Sequence, residues 1–200
     1  MVGARAPNEA FLRGPRVRLR TLERADLPRY RELFSEPEIN LLYGGLGVPE
    51  YLARFQRRYD AGEYDTTDRV VLLVIEAEGT IIGAMELRNT ENLPSRAATF
   101  GILIGDPAYL DRGYGTEAST LLLEYAFAVL GYHKINLDLF EYNARALAMY
   151  EKLGFAVEGR RRENHWSRGR FWDDILMGVT AEEWWSRHGP PPLPGSGHSR

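Results

Sequence analysis

The 200-residue chain has no cysteine, and of its 25 basic residues only Lys134 and Lys152 are lysines. Without thiols there is no disulfide, no thiolate metal site and no cysteine acyl-enzyme, so any acyl transfer is direct or uses another nucleophile. Histidine is scarce too. His133, His165, His188 and His198 show no close spacing suited to a metal, and none is expected. No apolar run approaches the roughly 18 residues that span a bilayer. The N-terminus, Met1 to Glu9, lacks the apolar segment of a signal peptide. A cytoplasmic protein with no membrane partner is expected. A large excess of charge is also missing: the net charge of −3 argues against general binding of nucleic acid.

What is present is an ordinary globular composition. At 44% hydrophobic and 26% charged, the chain can bury a sizeable core. Residues 1–14 read as a loose lead-in, 15–187 as a single domain and 188–200 as a disordered tail rich in Pro and Gly. Val17 and Leu19 alternate with arginines as an edge strand. Asp26 is placed to cap a helix with Pro28 in its first turn and Tyr30, Leu33 and Phe34 on its buried face. Glu36-Pro37 ends it. Residues 40–48 read as a glycine-rich loop, and Pro49 opens a second helix carrying Leu52, Phe55 and Tyr59 on one face. Asp60, Glu63, Asp65 and Asp68 mark an exposed acidic stretch, either plain solvated surface or an attraction for a cationic amine.

Val70–Ala77 and Thr80–Leu87 form a hairpin about Glu78-Gly79. The first of these strands is apolar on both faces and should be central. The central stretch follows. The strand Phe100–Ile104 ends in Gly105-Asp106-Pro107. The loop then reaches Arg112-Gly113-Tyr114-Gly115-Thr116 and enters a helix with Ala118, Leu122, Tyr125, Ala126 and Val129 on one face. A strand, a glycine-bearing turn and a helix start make an anion site, because the first helical amides lack partners and the peptide dipoles favour negative charge there. Lys134–Phe140 alternates cleanly and should run parallel to the strand ending at Ile104. Asn143 caps a short helix that Gly154 stops. Phe155–Trp166 and Arg170–Val179 read as a long hairpin, and Ala181–Arg187 as a closing helical turn or two, with Trp184 and Trp185 exposed as a dimer contact or a lid on the core.

Three diphosphate-binding patterns compete for the glycine turn. A Walker loop needs a Gly-Lys-Ser/Thr ending, which is absent. The dinucleotide pattern GxGxxA is matched formally from Gly113 to Ala118, with Asp138 some 20 residues on, but the strand does not run straight into its first glycine. The third pattern uses the whole stretch. Asp106-Pro107 through Ala118, then Asn143-Ala-Arg145-Ala146 and Tyr150-Glu-Lys152-Leu-Gly154-Phe155, resembles the GCN5-related N-acetyltransferases (GNAT), in particular the RimJ/RimL-type branch. The resemblance covers about Val17 to Trp184. Two departures stand out: Leu110 occupies a position where Gln or Arg is usual, and Thr99 one where Glu is frequent.

The resemblance implies an α+β fold: a mostly antiparallel central sheet flanked by helices, with a V-shaped splay between two parallel strands. It implies acetyl-CoA as co-substrate, its diphosphate on the amides of Arg112, Gly113, Tyr114, Gly115 and Thr116. The pantetheine arm would lie along Ile102, Leu103 and Ile104. Asn143 and Lys152 would flank the cofactor. Tyr150 would protonate the departing thiolate, the part a tyrosine commonly plays at this position. Glu86, on the hairpin beside the cofactor strand, is the first candidate base. Glu141, or ordered water leading to bulk solvent, are the alternatives. The expected reaction is direct acetyl transfer to a primary amine, a protein N-terminus of ribosomal-protein type, with polyamines or aminoglycosides as the alternative. A CoA-binding module without turnover is the competing class, and a monomer or homodimer is expected.

Overall fold

The computed structural model describes residues 10–44, 47–48, 50–67, 70–89 and 95–190. These fall into two compact units. One holds the described residues up to Arg88 together with Phe100–Leu121; the other holds Asn89–Thr99 and the described residues from Leu122 onward.

In the first unit the strand order is β1 (Leu12–Arg13), β2 (Val17–Arg20), β3 (Val70–Ala77), β4 (Thr80–Asn89), then β5 (Ala97–Ile104). β1 lies in the stretch expected to be a loose lead-in: Leu12 and Arg13 pair with Leu19 and Arg18, and Ala10 is buried. Leu72, Leu73, Val74 and Ile75 are all buried, which places β3 centrally as its two-faced apolar pattern requires. Glu78 and Gly79 both have positive φ, the geometry that matches a two-residue turn to the twist of its strands.

Three helices pack on this sheet: α1 (Leu27–Ser35), α2 (Pro37–Leu42) and α3 (Leu52–Asp60). Leu27, Tyr30, Leu33, Ile39 and Phe55 share a core with Leu72, Val74 and Ile81. Two expectations are corrected here. The Asp26 carboxylate makes no cap bond to α1; it pairs with the buried Arg20 at 2.6 Å and accepts from the Glu23 amide. A buried guanidinium without a counter-charge is costly, so the carboxylate is held there instead. The 40–48 segment is also not wholly loop, since α2 runs to Leu42, with the Glu36 side chain accepting from the Ile39 amide. Pro49, Asp68 and the tail beyond Pro190 lie outside the described residues.

In the second unit the order is β5, β6 (Lys134–Phe140), β8 (Arg170–Thr180), β7 (Ala156–Ser167). β5 and β6 are parallel, and their ladder has three pairs: Ala97–Lys134, Ala98–Ile135 and Thr99–Asn136. It ends there, although β5 continues to Ile104 and β6 to Phe140. On its other side β6 pairs with β8 along its whole length. The helix between β5 and β6 is α4 (Tyr114–Ala128), and α5 (Ala144–Leu153) and α6 (Ala181–His188) complete the set. Val129 falls past the end of α4 and is 66% exposed, so it does not share the buried face of Ala118, Leu122 and Ala126. Trp184 is fully buried rather than exposed; it packs on Phe127 and stacks on His188. An indole of that size contributes more in a core than at a surface. The architecture is α+β, mostly antiparallel, with one parallel pair.

Candidate active site

The glycine turn belongs to the first unit. After Ile104 the chain makes a short turn, Pro107–Tyr109, capped by the Asp106 side chain accepting from the Ala108 amide at 3.0 Å. Gly113 has φ +83°, which glycine adopts without strain. The first helical bond of α4 to the preceding residue runs from the Glu117 amide to the Gly113 carbonyl at 3.0 Å. The amides of Gly113, Tyr114, Gly115 and Thr116 make no hydrogen bond to the described residues. A run of amides with no partner among the described residues, at the start of a 15-residue helix, suits a diphosphate, and the donor set therefore fits CoA. Leu110, in place of the usual polar residue, packs against the core cluster; its apolar side chain follows from that setting.

Two features of this turn differ from the sequence reading. The Tyr114 side chain is buried, its hydroxyl donating to Glu78 at 3.0 Å, so only its amide is presented. Arg16, read only as the polar partner of an edge strand, sits at the turn. Its Nε pairs with Glu117 at 2.8 Å, its Nη1 donates to the Arg112 carbonyl at 2.9 Å, and its guanidinium lies 4.7 Å from the Tyr114 ring centroid. No local pattern links residues 16 and 117, so sequence carried no signal for it. Burial alone would raise the Glu117 carboxyl, but hydrogen bonds from Arg16 and from the Val17 amide hold it below the usual range. The Arg112 guanidinium donates to the Ala108 carbonyl and lies over Tyr109 and Tyr114.

β5 also belongs here from Phe100 on, with Ile102, Leu103 and Ile104. It runs close beside β4: a Cβ on Gly83 would fall 2.1 Å from the Leu103 carbonyl oxygen. Two residues earlier on β5, Gly101 sits in contact with the hairpin and the α2 end. A Cβ there would meet the Tyr43 hydroxyl at 3.5 Å, the Glu86 Cγ at 3.5 Å and the Glu86 Oε1 at 3.8 Å. Glu86 thus lies against the strand expected to carry the cofactor arm. Its Oε2 accepts from Arg88 at 2.9 Å.

Glu86 opens into a cleft of about 360 Å³ bounded by α1, α2, α3, β3 and β4. Its aromatic and apolar lining includes Tyr30, Phe34, Phe55, Leu72 and Met85, and its acidic groups are Glu86, Glu50 and Glu63. Tyr64 was expected within an exposed acidic stretch, yet it is 7% exposed and its hydroxyl has no partner among the described residues. It is buried because its ring packs edge-on against Tyr30 at 5.7 Å. Of the acidic stretch itself, Asp60 is paired with Arg24 and Glu63 with Arg58. Burial, with Glu86 nearby, pushes the Tyr43 hydroxyl up to about 12, and burial raises Tyr30 and Tyr64 as well. All three tyrosines stay protonated donors at neutral pH.

The remaining candidates belong to the second unit. Asn143 caps α5 as expected, its Oδ1 accepting from the Ala146 amide at 3.2 Å. Tyr150 is 6% exposed, on the inner side of α5, with its ring 5.7 Å from that of Phe155. Gly154 ends the helix at φ +103°. The Lys152 side chain is exposed, while its carbonyl accepts from Arg187. Glu141, the fallback base, pairs with Arg160 at 3.1 Å.

The chain matches the acetyltransferase (GNAT) domain family over residues 16–156. It is 30% identical to a spermidine N(1)-acetyltransferase of Escherichia coli (strain K12), over 88% of this chain and 91% of that protein. A Vibrio cholerae protein of the same description is also 30% identical, over 84% of this chain and 95% of its own length. The crystal structure of the spermidine N-acetyltransferase from Vibrio cholerae in complex with CoA and spermine superposes with a TM-score of 0.76 at 27% identity, covering 86% of this chain and 99% of that one.

Proposed function

We propose, from the premise that this chain belongs to the GNAT acetyltransferase family and is an N-acetyltransferase using acetyl-CoA, that its acceptor is a polyamine. The observation that carries this reading is the cleft beside Gly101. It has carboxylates for ammonium groups and a lining rich in tyrosine and phenylalanine for methylenes. The relatives named for spermidine acetylation support it independently. The acceptor first expected from the RimJ/RimL-type resemblance, a ribosomal-protein N-terminus, has no comparable support; the polyamine was the alternative.

Bound acetyl-CoA supplies an acetyl group activated as a thioester. The amides of Gly113 to Thr116 would hold its diphosphate, with Arg112 and Arg16 adding positive charge nearby. Ile102, Leu103 and Ile104 would offer main-chain groups to its arm, and the family resemblance assigns Asn143 and Lys152 to the cofactor as well. An acceptor amine of pKa roughly 10 arrives protonated. Glu86 accepts that proton, directly or through water, freeing the nitrogen lone pair for attack. By the family resemblance, Tyr150 would give its proton to sulfur as the C–N bond forms and the C–S bond breaks, and would recover one from the attacking nitrogen, which sheds its second proton. No metal enters the scheme.

An acceptor panel reading free CoA release would test this: spermidine, an N-terminal peptide of a ribosomal protein and an aminoglycoside, each at matched concentration. Polyamine turnover well above the other two is expected. Preferential turnover of the peptide would overturn the reading.

A further inference from the structure

The cleft of the first unit has two distinct polar ends. At one, Glu86 lies with Arg88 and the Tyr43 hydroxyl against Gly101 of β5. At the other are Glu50, at the approach to α3, and Tyr64, in the turn that follows α3. The Glu50 Oε1 pairs with Arg54 at 3.3 Å, but its Oε2 is buried and has no partner among the described residues. The Tyr64 hydroxyl, on a side chain more than nine-tenths buried, is likewise without one.

The electrostatic surroundings separate the ends in the same way. The Tyr43 hydroxyl is influenced by Glu86 and Arg88, and that of Tyr64 by Arg58, Glu63, Glu50 and Arg54. Tyr30 is influenced by Tyr43 and Glu86 and also by Tyr64 and Arg58, so it feels both groups. A buried acceptor and a buried hydroxyl left unpaired in one place are each costly, and together they fit a donor supplied from outside the protein. An ammonium has three N–H donors and a charge to match.

We propose that Glu50 and Tyr64 form a subsite for the distal ammonium of the acceptor, while the amine to be acetylated lies at Glu86. The acceptor class is then a linear diamine or longer polyamine, extended through the cleft with its methylenes across Tyr30 and Phe55. A monoamine would satisfy the Glu86 end alone and leave the far pair unpaired. The volume lies within the range of small-ligand sites, about 300–1,000 Å³, and admits one such chain. This inference rests on the polyamine reading, but assigns residues and an orientation that the reading does not contain.

The test compares wild type, Glu50→Gln and Tyr64→Phe with spermidine and with a linear monoamine of similar length. Loss of one charge-assisted hydrogen bond should raise the spermidine KM by about tenfold in Glu50→Gln. Tyr64→Phe should do the same to a smaller extent, with the monoamine constants of both variants near those of wild type. Equal effects on both acceptors, or none on spermidine, would overturn the subsite. Calorimetric titration with spermidine separates the two claims. If wild type binds spermidine and Glu50→Gln binds it more weakly, yet neither acetylates it, the subsite stands and the polyamine-acetylation reading falls. If wild type does not bind it, the subsite falls as well.

Discussion

The two proposed proton-transfer groups differ in what their surroundings demand. Tyr150 is a buried ring against Phe155, so phenylalanine in its place keeps the packing and removes only the hydroxyl. Tyr150→Phe should therefore lower kcat by about 10²-fold, the typical contribution of a positioned acid. The CoA dissociation constant, by calorimetry, should stay within about twofold, because the rest of the ring contacts persist. Glu86 invites a different test. A base is needed only while the acceptor amine is protonated, so the deficit of Glu86→Gln should shrink as pH rises toward the amine's own pKa of roughly 10. A deficit constant from pH 7 to 10 would remove Glu86 as the base.

At the level of elements, each site group is held by a local device that can be broken separately. The turn before α4 depends on Gly113 at φ +83°, and a Cβ there would also fall 3.2 Å from the Arg16 Nη2. Gly113→Ala should strain the turn by about 1–2 kcal/mol and weaken CoA binding by tenfold or more, read by calorimetry. α1 is held at its start by the Arg20–Asp26 pair, with Arg20 only 5% exposed and bonded also to Glu76 at 3.0 Å. Asp26→Ala leaves a buried guanidinium with one carboxylate, Glu76, and the Thr21 carbonyl. The expected cost is about 3 kcal/mol, seen as a lower urea midpoint with an unchanged slope.

For the whole molecule, each unit contains a carboxyl held below its usual range. Glu117, in the first unit, is desolvated but outweighed by hydrogen bonds from Arg16 and the Val17 amide. Glu183, in the second, accepts from the Thr180 amide at 2.8 Å and from its hydroxyl, as the capping box of α6. A lowered folded pKa means that the unfolded chain binds the proton more readily. The stability these groups contribute is complete above the ordinary glutamate value of about 4.3 and is lost as pH falls below it. Glu117→Gln should flatten the fall in urea midpoint between about pH 5 and 3 while lowering the midpoint at pH 7.

Much of this protein is determined by sequence-local rules, and those parts were legible in advance. Alternation over Lys134–Phe140, the Glu78-Gly79 turn, the Asn143 cap and the Gly154 stop each depend on residues within a few positions of one another, and each is found where its pattern placed it. The glycine turn at the start of α4 was legible for the same reason. Tertiary structure alone decided the features that join distant segments. Arg16 reaches Glu117 across 101 positions, Asp26 leaves its cap for Arg20, and Trp184 turns inward onto Phe127. The cleft proposed to hold the acceptor is of this second kind. Its carboxylates come from an acidic stretch, a helix approach and a strand, and no spacing relates them until packing of the helices on β3 and β4 buries Tyr64 among them. Backbone preference is a local energy and can be read along the chain, whereas burial of charge and ring depends on which segments meet, and that is settled only when the core closes.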